Sequence, residues 1–134
     1  MIYLLDTHIL LQLLMKPEKL SKRIMEVVSS TQNICLISAV CFWEISLKYA
    51  LGKLELKGID PSAIPEKCKE MGFDIIPISY KEASSYHQLS AIHHKDPFDR
   101  MLIWQAIKNN YVLISDDEVI KKYAGNGLKF LGSK

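Results

Sequence analysis

The sequence has almost no excess of charge of either sign. The 134 residues include 17 Lys and Arg against 15 Asp and Glu, which gives a formal net charge of +2. So small an excess does not indicate a nucleic-acid-binding protein, and any basic surface must be local. Hydrophobic residues make up 49% and charged residues 24%, which excludes a disordered chain. We expect one domain, residues 1–134, large enough to bury a core.

Cysteine is scarce, and long apolar runs and internal repeats are missing. Cys35, Cys41 and Cys68 are scattered and show no Cys-x-x-Cys spacing, so neither a zinc site nor a disulfide framework is supported. Two of the three lie in apolar surroundings, as buried thiols do, and free thiols in a reducing cytoplasm are expected. Asp6 and His8 interrupt the N-terminal apolar stretch, and no basic segment precedes it. We therefore expect this stretch to be neither a signal peptide nor a membrane span.

Short apolar segments alternate with helical patterns along the chain. Such alternation predicts an α/β fold of three α/β/α layers, with a central five-stranded parallel sheet between helices. In such sheets, ligands bind outside the carboxyl ends of the strands. The predicted strands are residues 2–5, 33–37, 73–78, 111–115 and 128–131; the predicted helices are residues 8–15, 20–29, 38–51, 61–71, 81–92, one from 97 onward, and one between 117 and 125.

Acidic residues occur at positions where this fold predicts the carboxyl edge of the sheet or the face of a neighbouring helix. Carboxylates gathered in one place repel one another and are stabilised by a divalent cation. All-oxygen ligands suit Mg²⁺ or Mn²⁺, and a metal-activated water can hydrolyse a phosphodiester. The acids are Asp6 after the first strand, Glu44 in an apolar helical face, Asp99 in a first helical turn, and Asp116 and Asp117 after the fourth strand.

Two of these acids have purely structural alternatives that the sequence leaves open. Asp6 can be the N-cap of the first helix, a position that aspartate favours. Glu44 can form an ion pair at the edge of its apolar face with Lys48, one helical turn later. In that case neither residue would need a metal.

Structural alternatives also exist for the later acids. Asp96, followed by a proline, is the natural N-cap of its helix, and it is the better candidate for a purely structural role. Asp99 can simply stabilise the first turn of that helix through its negative charge. One of Asp116 and Asp117 is expected to cap the next helix, while the other faces the sheet edge.

Four segments together resemble the successive motifs of PIN-domain proteins, and most closely the VapC-like toxins of toxin–antitoxin pairs. They are "YLLDTH", "WEISLK", "HHKDPFDRMLIWQAI" and "LISDDEVIKKY". The resemblance implies a five-stranded parallel sheet and RNA cleavage with Mg²⁺ or Mn²⁺ held by an acidic quartet. Carried over by position, that quartet is Asp6, Glu44, Asp99 and Asp117. The family pattern Ser-x-Asp selects Asp117, although the sequence does not exclude Asp116.

We also expect the four acids to have different roles, and the resemblance implies partners for the chain. Asp6 and Asp99 would ligate the metal directly, while Glu44 and Asp117 would act through water or orient the nucleophile. An RNA substrate, a homodimer and a cognate antitoxin are expected, with the antitoxin in an apolar groove near residues 9–15 or 20–28. The competing hypothesis is a catalytically inactive PIN-like module that only binds RNA or protein.

Basic and aromatic residues near the acids have two interpretations. Lys48, Lys95 and Arg100 are either contacts for an RNA backbone or ordinary surface charges and salt-bridge partners. Trp43 and Trp104 could stack a base. Both tryptophans lie in apolar helical patterns, which favours core or interface packing.

Overall fold

The computed structural model describes residues 1–90, 93 and 96–133. The strands are β1 (Ile2–Leu5), β2 (Ile34–Ser38), β3 (Asp74–Ile76), β4 (Val112–Ile114) and β5 (Lys129–Leu131). The α-helices are α1 (Thr7–Met15), α2 (Lys22–Ser29), α3 (Ala39–Ala50), α4 (Ile64–Glu70), α5 (Tyr80–Ser85), α6 (Pro97–Asn109) and α7 (Glu118–Lys121). Single 3₁₀ segments occupy Pro17–Lys19, Pro61–Ala63, Tyr86–Gln88 and Lys122–Asn126.

The five strands form one parallel sheet in the order β3-β2-β1-β4-β5. Strand β1 lies at the centre, where Tyr3 is in register with Cys35 of β2 and with Val112 of β4. The chain first extends the sheet on one side of β1 and then crosses to the other side. The predicted α/β fold with a five-stranded parallel sheet is confirmed.

The core lies on both faces of the central strands. Leu4 and Leu5 of β1 point to opposite faces and are both fully buried, as are Leu113 and Ile114 of β4. Strands covered by helices on both faces are apolar at successive positions rather than at alternate ones. The short apolar runs of the sequence are therefore the mark of a doubly covered sheet.

Local signals place most helix ends where they were predicted. Ser38 caps α3, since its hydroxyl accepts from the Val40 N–H at 3.1 Å. The segment predicted as one helix over residues 81–92 differs: α5 ends at Ser85 and a 3₁₀ turn follows to Gln88. The end of that predicted helix, residues 91 and 92, lies outside the described residues.

The two tryptophans have different environments. Trp104 is buried, and its indole N–H donates to the Ser85 hydroxyl at 3.1 Å, which confirms its core placement. Trp43 is 60% exposed and packs edge-to-face on Phe98 with ring centroids 4.9 Å apart. Core packing is therefore wrong for Trp43, because α3 presents this residue to solvent; interface packing stays a prediction.

The remaining composition-based expectations concern thiols and membranes. All three cysteines are free, as predicted, and all three are buried although burial was expected for only two; they lie on β2, α3 and α4. No helix in the described ranges reaches the length and apolarity that a bilayer span requires.

Candidate functional site

A cavity of about 510 Å³ opens where β1 and β4 end. It is bounded by the starts of α1, α6 and α7 and by one face of α3. Six carboxylates and two lysines are among the residues that line it: Asp6, Glu44, Asp96, Asp99, Asp116, Asp117, Lys48 and Lys53. All four acids of the predicted quartet thus reach one cavity, on the sheet edge where a ligand was expected.

Asp6 combines a structural contact with deep burial. It is the N-cap of α1, and its Oδ1 accepts from the Ile9 N–H at 2.8 Å. Burial raises the pKa of Asp6 from about 3.8 to about 6, with a small addition from the Asp117 charge. The Ser115 hydroxyl, the Ile9 N–H and His8 oppose this rise in pKa. The capping alternative is therefore correct, yet it leaves a buried carboxylate at the cavity wall.

Glu44 is buried on α3, with 5% of the residue exposed. Its Oε2 accepts a hydrogen bond from the Lys48 ammonium, as the ion-pair alternative predicted. Its Oε1 is buried and has no hydrogen-bond partner within the described part of the chain. A buried acceptor without a partner is costly, so this oxygen is one that a cation entering the cavity would stabilise.

Asp96 and Asp99 both lie at the start of α6, at different positions. Asp96 is the N-cap, and its Oδ1 accepts from the Phe98 N–H at 2.8 Å and from the Asp99 N–H at 3.3 Å. The structural role predicted for Asp96 is confirmed, although its side chain also lines the cavity. Asp99 lies in the first turn, half-buried, and lines the same wall.

Asp116 and Asp117 follow β4 and have different partners. Asp117 is the N-cap of α7, since its Oδ1 accepts from the Val119 N–H at 2.8 Å. Asp116 is exposed and accepts from the Ser133 N–H at 2.7 Å and from the Ser133 hydroxyl at 2.6 Å. Both side chains line the cavity, so the prediction that one caps and only the other faces the sheet edge is too simple.

Arg100 is directed into the protein. Its guanidinium donates to the Tyr86 hydroxyl at 3.0 Å, the Tyr123 hydroxyl at 2.9 Å and the Leu89 carbonyl at 2.7 Å. Tyr123 is fully buried. These bonds tie the segment before α6 to α6 and to the 3₁₀ turn after α7, which gives Arg100 a structural role; its contact with an RNA backbone stays a prediction. Lys95, also offered as an RNA contact, lies outside the described residues.

Lys53 is a charged cavity residue that was not singled out from the sequence. Lys53 follows Gly52, whose positive φ of 71° ends α3 and turns the chain back toward the cavity. Glycine after a helical pattern is the signal that could have indicated such a turn. His8, for which a structural or phosphate-facing role is expected rather than metal ligation, is the second residue of α1 and is exposed at the cavity rim.

The donors present fit a hard divalent cation in kind. The carboxylates supply oxygen only, one of the buried oxygens has no partner, and burial disfavours the charge on another acid. In residues 1–90, 93 and 96–133, however, no three His, Cys, Asp or Glu side chains lie close enough to hold one ion together. Binding a shared ion would require the carboxylates to move toward it.

Comparison with known proteins identifies the fold family. The sequence model described as "PIN domain" matches residues 3–126. VapBC2 from Rickettsia felis, solved bound to a DNA fragment from its promoter, superposes with a TM-score of 0.71 at 20% identity, over 98% of both chains. VapBC-1 from nontypeable Haemophilus influenzae superposes with a TM-score of 0.68 at 18% identity, over 99% of this chain and 98% of that chain. FitAcB from Neisseria gonorrhoeae superposes with a TM-score of 0.65 at 16% identity, over 98% of this chain and 97% of that chain. No curated protein matches this chain.

Proposed function

The chain belongs to the PIN-domain family, and from that premise we propose that it is a metal-dependent endoribonuclease, the toxin of a toxin–antitoxin pair. The observation that carries the proposal is the single cavity lined by Asp6, Glu44, Asp99 and Asp117, which come from four separate segments of the chain. Mg²⁺ or Mn²⁺ is the cofactor that such an oxygen donor set favours.

The four acids would divide the work. Asp6 and Asp99 would ligate the ion directly, while Glu44 and Asp117 would act through water or orient the nucleophile. When bound, the ion would lower the pKa of a water and neutralise charge on the scissile phosphodiester. The N–H of Ile9 holds Oδ1 of Asp6, and the Ser115 hydroxyl also hydrogen-bonds to this carboxylate, so both groups fix its orientation at the cavity wall.

The proposed partners are an RNA substrate, a second copy of the chain and a cognate antitoxin. The solved neighbours named VapBC2, VapBC-1 and FitAcB are the relatives that favour an antitoxin. A second, smaller groove of about 240 Å³ runs along α1, where an antitoxin segment was expected. It is lined by His8, Leu11, Gln12, Met15, Lys16, Lys19 and Leu54.

RNA cleavage by the purified protein tests the proposed activity. Wild type should cleave RNA with Mg²⁺ or Mn²⁺ and stop in excess chelator. Asp99→Asn should lower the rate at least about 100-fold because it removes a charged ligand. Asp74→Asn serves as a matched control, since Asp74 is exposed on β3 and does not line the cavity.

The competing hypothesis, an inactive PIN-like module, makes a different prediction. Such a module would bind RNA without cleaving it, whether or not Mn²⁺ is present. Cleavage that persists in Asp99→Asn with chelator would also contradict the proposed mechanism, because it would show catalysis that needs neither Asp99 nor a metal ion. Circular dichroism of each variant would establish that the fold is intact.

A further inference from the structure

We infer that Lys48 is an internal counter-ion that pairs with Glu44 when no divalent ion is bound and competes with that ion, or with the water on it, for this carboxylate. The inference rests on the proposed function, because it concerns the same acidic cavity. It predicts that a lysine side chain, rather than water alone, must be displaced when metal binds.

Burial explains why Glu44 needs a counter-ion. Only 7% of the Glu44 side chain is exposed. A carboxylate taken out of water is costly unless a cation or donors compensate it. Among the described residues, Lys48 is the one hydrogen-bond and ion-pair partner of this side chain, and it contacts Oε2 alone. The charge of Glu44 is therefore balanced at one oxygen and unbalanced at the other.

The position of Lys48 places it in competition with a metal. It lines the acidic cavity, and its pKa is raised first by the hydrogen bond with Glu44 and also by the charges of Asp96 and Asp99. Its ammonium thus occupies the negative field that would attract a divalent ion. A second cation entering this cavity is repelled by the first, and the repulsion is strong at short range in a partly buried site.

Lys48 is also able to leave Glu44 without leaving the cavity. Its side chain is 42% exposed, and its four-carbon stem is flexible. Because Glu44 and Lys48 are one turn apart on α3, the ammonium can rotate outward while the helix stays fixed. A displaced Lys48 would remain at the cavity mouth, where the phosphate of a substrate would arrive.

Lys53 provides a matched control. It lines the same cavity with the same charge, but it is exposed, and the described structure shows no ion pair for it with a carboxylate. Substituting it removes one positive charge from the cavity wall and leaves Glu44 untouched. A difference between the two lysines therefore measures competition for Glu44 rather than the general electrostatic effect.

The test is calorimetric titration of Mn²⁺ into wild type, Lys48→Met and Lys53→Met. We expect Lys48→Met to tighten Mn²⁺ binding about tenfold or more and Lys53→Met to change it less than about threefold. Thermal unfolding gives an independent readout. Without metal, Lys48→Met should unfold at a lower temperature than wild type, because Glu44 is left buried and uncompensated. Its gain in melting temperature on adding Mn²⁺ should exceed that of wild type.

A second pair of variants keeps the test decisive if Lys48→Met is unstable. Glu44→Gln removes the buried charge, so adding Lys48→Met to it should change Mn²⁺ affinity less than about threefold. If Lys48→Met does not fold without metal, Mn²⁺ should restore its fold, and failure to do so counts against the inference.

The outcomes separate this inference from the proposed function. If Lys48→Met binds Mn²⁺ as tightly as wild type or more weakly, the inferred competition is overturned. The nuclease proposal still stands in that case, provided that wild type binds Mn²⁺ and Asp99→Asn does not. The inference is also overturned if Lys48→Met tightens Mn²⁺ binding as much in the Glu44→Gln protein as in wild type. Absence of Mn²⁺ binding in wild type and Lys48→Met alike overturns both.

Discussion

At the scale of single residues, some side chains that line the cavity also stabilise the fold. Asp6 caps α1 through one oxygen, yet it is almost completely buried, so its charge is disfavoured and its pKa rises to about 6. The cap does not depend on that charge, because an amide oxygen accepts the same hydrogen bond. The charge at Asp6 therefore costs stability that an uncharged cap would keep.

Replacing Asp6 by Asn should stabilise the metal-free protein at neutral pH. Because the pKa of the folded protein is raised, the wild type loses stability as pH rises from about 4 to about 6, and the loss persists above that range. A rise from 3.8 to about 6 corresponds to about 3 kcal/mol of unfolding free energy. Asp6→Asn should recover about 1–3 kcal/mol at pH 7.5 and almost nothing near pH 4.

Urea unfolding of wild type and Asp6→Asn between pH 4 and pH 8, in chelator, measures this difference. Asp74→Asn should change the unfolding free energy by less than about 0.5 kcal/mol at every pH, because Asp74 is exposed. A difference between wild type and Asp6→Asn that does not vary with pH would contradict the burial argument.

At the scale of elements, helix starts deliver most of the acids to the cavity. The N-caps of α1, α6 and α7 are Asp6, Asp96 and Asp117, and Asp99 lies in the first turn of α6. Helix N-termini carry partial positive charge, which makes the crowding of these carboxylates less costly. Glu44 differs, because it comes from the middle of α3, and that helix also supplies Lys48 to balance it.

The start of α7 predicts which acid is the fourth member of the quartet. Asp117→Asn should keep the cap and lose Mn²⁺ affinity, whereas Asp117→Ala should also lose about 1 kcal/mol of stability. Asp116→Asn should leave Mn²⁺ affinity within about twofold, because Asp116 is already bonded to Ser133. Calorimetry and urea unfolding of the three variants measure both quantities. Loss of Mn²⁺ affinity in Asp116→Asn alone would exchange the two assignments.

At the scale of the whole molecule, the order of the strands creates the site. With β1 central and the chain crossing from β3 to β4, the residues after β1 and β4 become neighbours at one edge. Helices α3 and α6 then bring Glu44 and Asp99 over that edge. Acids separated by nearly the whole chain meet only because one sheet holds their strands in register.

The three buried cysteines can be used to measure the unfolding of the whole molecule. Burial raises the pKa of Cys41 to about 12 and that of Cys68 to about 11, and it also raises the pKa of Cys35. All three thiols should therefore resist Ellman's reagent at pH 8 in the native state and react in denaturant. Their reaction rates should follow global unfolding as urea is raised. A thiol that reacts quickly and independently of urea would contradict its burial.

The sequence by itself determined the features that depend on neighbours in the chain. The apolar runs marked the strands, Asp96 and Pro97 marked the start of α6, and acids after β1 and β4 marked the edge where a ligand was expected. These are local effects of burial, capping and fixed backbone angles. Local patterns also indicated Glu44 and Asp99 but left structural alternatives for them, and the motif resemblance favoured their membership of the quartet.

Only the tertiary structure decided which helix faces meet the sheet and which meet solvent. Periodicity placed Val40, Glu44, Leu47 and Leu51 on one face, yet Leu47 is 41% and Leu51 59% exposed, while Glu44 is buried. Helical spacing shows which residues share a face, but packing against other segments decides where that face is covered. For the same physical reason, the half-burial of Lys48 beside Glu44 follows from the fold and not from the sequence pattern alone.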